Sequence, residues 1–162
     1  MRRIALVFLF SFLLFLRPEF AMNEESSFAY KVSLIEKAAA KYDVDAEFVM
    51  AIVMSESSFR HKVVKWEPRA KEYSRGMGQL LLSTAKLYDK KVKAKDLLVP
   101  EKNIDITTRH IAMLVDKHNG NLKKVAMEYN GGPRAKKNEK YYRRVMGYYD
   151  VLIKSCDKGR KS

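Results

Sequence analysis

The stretch Asp45-Ala46-Glu47-Phe48-Val49-Met50-Ala51-Ile52-Val53-Met54-Ser55-Glu56-Ser57-Ser58 decides how this chain reads. Asp45 is a good helix cap, and the apolar residues behind it recur at helical spacing. Phe48, Ile52 and Glu56 stand at i, i+4 and i+8, and Val49, Val53 and Glu56 at i, i+4 and i+7. Glu56 therefore projects from the apolar face, near the C-terminal end of its helix. Partial burial disfavours a carboxylate, and the partial negative charge of a helix C-terminus disfavours it again. A carboxyl held protonated in this way can donate its proton in a cleft. Read in isolation, the same residue is more simply a frayed helix end among Ser55, Ser57 and Ser58.

Outward from this helix the pattern stays helical. Phe28 to Tyr42 places Val32, Ile35 and Ala39 on one face, with Ser26 or Ser27 as cap, and Asp43 to Asp45 makes a turn. Residues 61–75, with His61, Pro68 and the apolar Val63, Val64 and Trp66, lose the helical period and read as an irregular segment or short β-hairpin. Ser83 or Thr84 opens a helix through Tyr88. Pro100 suits the first turn of a longer helix to His118, striped by Ile104, Ile111, Leu114, Val115 and His118 itself and ended by Asn119-Gly120. Leu122 to Tyr129 is a short helix stopped by Asn130-Gly131-Gly132-Pro133. A last helix from about Asn138 to Ile153 turns Tyr141, Val145, Leu152 and one of Tyr148 and Tyr149 inward. The expected fold is mainly α: a single domain over 22–154 with the irregular or hairpin segment beside a cleft, then a basic tail over 155–162.

The chain has 162 residues, 47% of them hydrophobic, enough for one core. Its 32 lysines and arginines against 19 acids give a formal charge of +13. That charge draws it to polyanions, among which nucleic acid, anionic lipid and carboxylate-bearing cell wall are all admissible. Met1-Arg2-Arg3 followed by apolar Ile4 to Leu16 reads as a signal peptide over 1–21, cut after Ala21. Glu19 sits where a small residue is preferred, so an uncleaved N-terminal anchor is the alternative. Export points to the periplasm or the exterior, associated with the cell wall, and away from nucleic acid, for which no recognition motif is visible. Cys156 is the single cysteine, so no internal disulfide forms. His61, His110 and His118 lack ligand spacing, and no metal or cofactor is expected.

Four segments follow one another in a particular order. Ser55-Glu56-Ser57-Ser58-Phe59 is followed by Ser74-Arg75-Gly76-Met77-Gly78-Gln79-Leu80, then Glu128-Tyr129-Asn130-Gly131-Gly132-Pro133, then Tyr141-Tyr142-Arg143-Arg144-Val145. Over about residues 30–150 the chain resembles the soluble lytic transglycosylase family, whose catalytic domain is related to goose-type lysozyme. The resemblance implies a lysozyme-like fold and cleavage of peptidoglycan between N-acetylmuramic acid and N-acetylglucosamine, closing a 1,6-anhydro ring. It implies Glu56 as the catalytic acid and then base, with Ser74, Gly76, Met77, Gln79, Tyr129, Asn130 and Tyr141 lining the substrate cleft. Tyr129 resembles the family tyrosine that hydrogen-bonds near the acid, and Tyr142 is the alternative to Tyr141 at the cleft.

Independently of the family, Gly76 and Gly78 either open the backbone to a flat sugar ring or make a tight turn. Gln79 offers an amide and Ser74 a hydroxyl for sugar groups. Trp66 reads as a core plug or a sugar platform. Glu67 and Glu72, both in the irregular segment, are the acids from which a second carboxylate would come, or are simply solvated. The usual family form Gly-Leu-Met-Gln reads Gly-Met-Gly-Gln here, and Glu128 stands where an alanine is usual, placing a charge toward the cleft rim. Peptidoglycan glycan strands are the expected partner of a monomer, with a secretion or pilus assembly as a further one. The alternatives are a hydrolytic muramidase of the same fold and a non-catalytic wall-binding module.

Overall fold

A computed structural model describes residues 27–133 and 138–159 of the chain. The leader or anchor expected over 1–21 and the last three residues of the tail lie outside these. Helix α1, Phe28–Tyr42, is capped by the Ser27 hydroxyl, which accepts from the Tyr30 N–H at 3.1 Å. It ends on Asp43 in the left-handed region. Helix α2, Ala46–Ser57, starts where Asp45 Oδ1 accepts from the Phe48 N–H at 2.9 Å. Every residue from Phe48 to Val53 is buried. The helix is thus enclosed around its circumference rather than along one stripe, which explains why its middle carries no polar residue.

Strands β1 (Val64–Glu67), β2 (Glu72–Arg75) and β3 (Leu80–Leu81) form an antiparallel sheet in that order. The segment read as irregular or a hairpin is therefore a hairpin extended by a third strand. Helix α3 covers only Leu82–Ala85. It falls short of the expected Tyr88, and Ser83 is not its cap: the Ser83 N–H and hydroxyl both donate to the Glu72 carboxylate, at 3.0 and 2.6 Å. Tight turn bonds from Leu87 N–H to Thr84 O and from Tyr88 N–H to Ala85 O carry the chain onward. A 3-10 helix at Ala94–Leu98, absent from the sequence reading, is stapled by the Lys93 N–H donating to Asp96 at 2.8 Å.

Helix α4, Pro100–Lys117, has Pro100 in its first turn as expected, and Asn119 and Gly120 close it with positive φ. Helix α5, Leu122–Gly131, runs two residues past the expected end, and α6, Glu139–Gly159, six. In α6 Tyr149, rather than Tyr148, turns inward, its ring edge-on to Phe48 at 5.9 Å. The main core gathers α1, α2, α4, α5 and α6 around Phe48, Ile52, Ile104, Ile111, Leu114 and Val145. A smaller one under the sheet holds Leu80, Ala85, Val92, Leu97 and Ile106.

Asp45 serves two helices at once, because its second oxygen accepts from the Tyr149 hydroxyl at 2.6 Å. That bond pushes the Tyr149 hydroxyl pKa up to about 12. Asp45→Ala is expected to cost about 2 kcal/mol, a cap plus one charge-assisted bond, while Asp45→Asn keeps most of it. Urea unfolding followed by circular dichroism measures both, and a loss below about 0.5 kcal/mol for the alanine variant would rule out this double role.

Candidate active site

Glu56 occupies the penultimate position of α2, half-buried, on the helix that packs against α6. The Tyr141 hydroxyl, from the first turn of α6, donates to Glu56 Oε1 at 2.7 Å. The Asn130 side chain, one residue from the end of α5, is a second hydrogen-bond partner of the carboxyl. Asn138 at the start of α6 in turn donates to Asn130. Burial raises the Glu56 pKa above the ordinary carboxylate range, against the opposing pull of Tyr141, Asn130 and the more distant charges of Arg144 and Lys65. The acid is therefore favoured in its protonated form and already faces donors that would receive its anion.

The two tyrosines divide differently from the sequence reading. Tyr141, not Tyr129, bonds the acid, and Tyr142 sits farther along the core with Lys123 over its ring at 5.6 Å. The Tyr129 hydroxyl donates to the Gly78 carbonyl at 2.6 Å. Burial, and next the charge of Glu56, raise the Tyr129 pKa, so this hydroxyl stays protonated beside the acid. Behind it, His110 pairs with the Tyr88 hydroxyl at 2.7 Å. Burial lowers the His110 pKa to about 4, which keeps that ring neutral near pH 7.

The Ser74–Gln79 loop lies next to the acid but is turned inward. Gly76 and Met77 are buried, Met77 completely, which corrects the expectation that they touch a sugar directly. The glycines serve close packing instead. A Cβ on Gly76, whose φ is +75°, would lie 2.1 Å from the Leu97 carbonyl oxygen, and one on Gly78 would lie 2.0 Å from Thr107 Oγ1. The Gln79 amide donates to the carbonyls of Gly76 at 2.8 Å and Val63 at 3.3 Å, and its oxygen accepts from Ser74 at 2.9 Å. Its side chain braces the loop rather than reaching outward, and the Ser74 hydroxyl is buried with it.

Two residues to which the sequence assigns no role at the site hold this loop. The Ser57 hydroxyl, next to the acid, donates to the Met77 carbonyl at 2.7 Å. Asn103, fully buried on α4, accepts from the Gly78 N–H at 2.8 Å and donates to the carbonyls of Arg75 and Leu97 at 3.0 and 2.8 Å. A signal for Asn103 existed: with Thr107, Ile111 and Leu114 it lies at i, i+4, i+8 and i+11, polar residues continuing a buried stripe.

The other acids are engaged elsewhere. Glu67 meets Lys65 and Ser74 at 3.0 and 3.2 Å, and Glu72 holds Ser83. Glu128 is tied to Lys117 at 2.6 Å and His118 at 2.7 Å. Burial pushes its pKa up, but these bonds outweigh that and lower it, so the expected rim charge is a compensated one. Trp66 is half-exposed and is no core plug. Among the described residues no group of three or more His, Cys, Asp or Glu is placed to hold a metal.

The family described as transglycosylase SLT domain matches residues 33–150 of the chain. Membrane-bound lytic murein transglycosylase C of Yersinia pestis (strain Pestoides F) is 30% identical, over 61% of this chain and 30% of that protein. The protein of the same name from Yersinia pseudotuberculosis serotype O:1b (strain IP 31758) matches to the same extent. The chain thus spans about a third of the length of these curated relatives. Among solved structures, an inactive mutant of lytic transglycosylase Slt from Pseudomonas aeruginosa superposes with a TM-score of 0.66 at 18% identity, covering 77% of this chain and 24% of that one. The 70 kDa soluble lytic transglycosylase of Escherichia coli gives 0.62 at 21% identity, covering 75% and 24%. At these identities the likeness is one of fold: the mainly helical, lysozyme-like architecture with its small sheet.

Proposed function

This chain belongs to the transglycosylase SLT domain family, and on that premise we propose that it cleaves peptidoglycan strands by a non-hydrolytic route in which Glu56 is the single acid–base group. The observation that carries the reading is the Glu56 carboxyl, shifted toward its protonated form by burial and met by the Tyr141 hydroxyl at 2.7 Å. The protonated acid gives its proton to the glycosidic oxygen between N-acetylmuramic acid and N-acetylglucosamine as the bond to C1 breaks. The 2-acetamido oxygen of the muramic sugar supports the positive charge growing at C1. The ionised Glu56, stabilised by Tyr141 and Asn130, then takes the proton of the muramic C6 hydroxyl. That oxygen bonds to C1, closes the 1,6-anhydro ring and leaves Glu56 protonated for the next cycle.

No second carboxylate is required, which accords with Glu67 and Glu72 being occupied by neighbours. Tethered attack by the C6 hydroxyl outruns water because its effective concentration is large. Asn130 stands exposed on the side of the cleft nearest the acid, with Tyr129 and the buried Tyr141 behind it. Ser74, Gly76, Met77 and Gln79 shape the cleft from behind, through backbone position. The positive charge of the chain suits a wall bearing stem-peptide carboxylates, which supports work in the cell envelope.

Mass spectrometry of purified sacculi digested by the protein is expected to show products ending in 1,6-anhydromuramic acid, with no reducing muramic ends formed. Reducing ends alone would make the enzyme a muramidase and overturn the cyclisation step.

A further inference from the structure

The β1–β2 hairpin has two faces of opposite character. Its register pairs Val64 with Arg75, Lys65 with Ser74, Trp66 with Tyr73 and Glu67 with Glu72. Alternation along the strands then puts Lys65, Glu67, Glu72 and Ser74 on one face and Val64, Trp66, Tyr73 and Arg75 on the other. The first face carries the contacts to Gln79 and Ser83 described above. The second faces away from the domain: Val64, Trp66 and Tyr73 are 48%, 47% and 46% exposed. The two rings meet edge to face at 4.9 Å, and the Arg75 guanidinium lies 5.6 Å from the Tyr73 ring centre.

This exposed apolar face is set in positive charge. Residues 60–75 carry Arg60, Lys62, Lys65, Arg69, Lys71 and Arg75 against Glu67 and Glu72. Arg69 and Lys71 stand exposed in the turn that joins the strands. Aromatic rings with one polar edge, a β-branched neighbour and a surround of cations are the composition that settles at the boundary between anionic headgroups and acyl chains. A glycan strand fits this face less well. The edge-to-face pairing covers one of the ring faces that stacking would use, and the carboxylates that would accept from sugar hydroxyls lie on the opposite face. Scattered wall carboxylates would satisfy the cations but leave the three apolar side chains in water.

We propose that the outer face of this hairpin docks on an anionic lipid surface, with Trp66 and Tyr73 at headgroup depth and Arg69, Lys71 and Arg75 among the phosphates. No helix among the described residues is long and apolar enough to cross a membrane. The docked hairpin would hold the domain at the bilayer with its Glu56 side turned away from the lipid.

Trp66 is the only tryptophan of the chain, so its fluorescence reports on this face alone. The full chain is titrated with phosphatidylglycerol vesicles, phosphatidylcholine vesicles and soluble glycan strands. The expected result is a blue shift of Trp66 emission, with quenching by shallow brominated lipid, in phosphatidylglycerol only and reversed by salt. Arg69→Gln with Lys71→Gln is expected to weaken the transition roughly 30-fold, at about 1 kcal/mol for each cation near the surface, with an unchanged thermal melt. No spectral change with phosphatidylglycerol overturns the proposal, as does an equal change with phosphatidylcholine. A shift produced by glycan strands and not by vesicles replaces it with a sugar platform. These readouts do not depend on turnover, so they stand or fall apart from the assignment of Glu56.

Discussion

Replacing Glu56 with glutamine is expected to lower the turnover of peptidoglycan about a thousandfold or more, while the protein near neutral pH becomes more stable rather than less. The activity loss follows from the two proton transfers assigned to one group. Positioned acid–base catalysis contributes roughly 10²- to 10⁴-fold, and an amide can supply neither the proton nor the base. The stability gain follows from burial. The folded protein raises the Glu56 pKa, so it holds this proton more tightly than the unfolded chain does. The stabilisation linked to that proton is complete below the unfolded-state pKa and is lost as pH rises through the elevated folded value.

Above that value the wild type carries a half-buried carboxylate, and glutamine does not. The variant also keeps an oxygen to accept from the Tyr141 hydroxyl. Asn130 is exposed and can take water where it loses the carboxylate. Melting temperatures of both proteins across a pH series should coincide in acid and separate toward neutrality, the variant higher. Turnover by the wild type should fall as pH rises through the same range, since the acid must start protonated. Full activity in Glu56→Gln would remove the site assignment; a variant less stable at every pH would show that the carboxyl is held for structure instead.

How much of this was legible in the sequence differs by element, and the difference has physical causes. The starts of α2 and α4 could be read because their signals are local: Asp45 caps the one, and Pro100 occupies the first turn of the other. Glu56 was legible because helical spacing alone places it on the Phe48–Ile52 face. The partner of Glu56 was not, because Tyr141 is 85 residues away and meets it only once α6 has packed on α2. Helical spacing left Tyr141 and Tyr142 open, and only the resemblance pointed to Tyr129 near the acid; the tertiary fold gives Tyr141 to the acid and Tyr129 to the Gly78 carbonyl. The glycines admit two readings in the sequence, a sugar approach or a tight turn, for a related reason. A glycine in a loop signals a close approach, but the sequence does not say of what, and here the approaching groups are α4 and the 3-10 helix before it rather than a ligand. Ser83 illustrates the reverse, a strong capping residue diverted by a strand carboxylate that local rules cannot see.

The approach of the loop to α4 sets the second large expectation. Asn103→Ala is expected to destabilise the protein by roughly 3–5 kcal/mol, since a buried group that loses its partner costs about 1–3 kcal/mol. Three backbone groups lose one here: the Gly78 N–H and the carbonyls of Arg75 and Leu97, all bonded to a side chain with no exposed surface. Asn103→Asp should fare little better, because one carboxylate oxygen would face those two carbonyl oxygens without a hydrogen to offer them. Against a total stability of about 5–15 kcal/mol, such a loss leaves little margin at 37 °C. It should also loosen the Gly78 carbonyl that receives Tyr129 beside the acid, so turnover falls below what the folded fraction explains. Thr108, five residues on along the same helix and equally buried, provides the contrast: its hydroxyl has no hydrogen-bond partner among the described residues. Thr108→Val removes an unmatched polar atom at nearly constant volume and should be neutral or stabilising. Urea unfolding of the three variants beside the wild type separates the cases. Comparable losses for Asn103→Ala and Thr108→Val would mean that the cost lies in disturbing α4 itself; a loss confined to the Asn103 variants means that the loop beside Glu56 is held in place by that one amide.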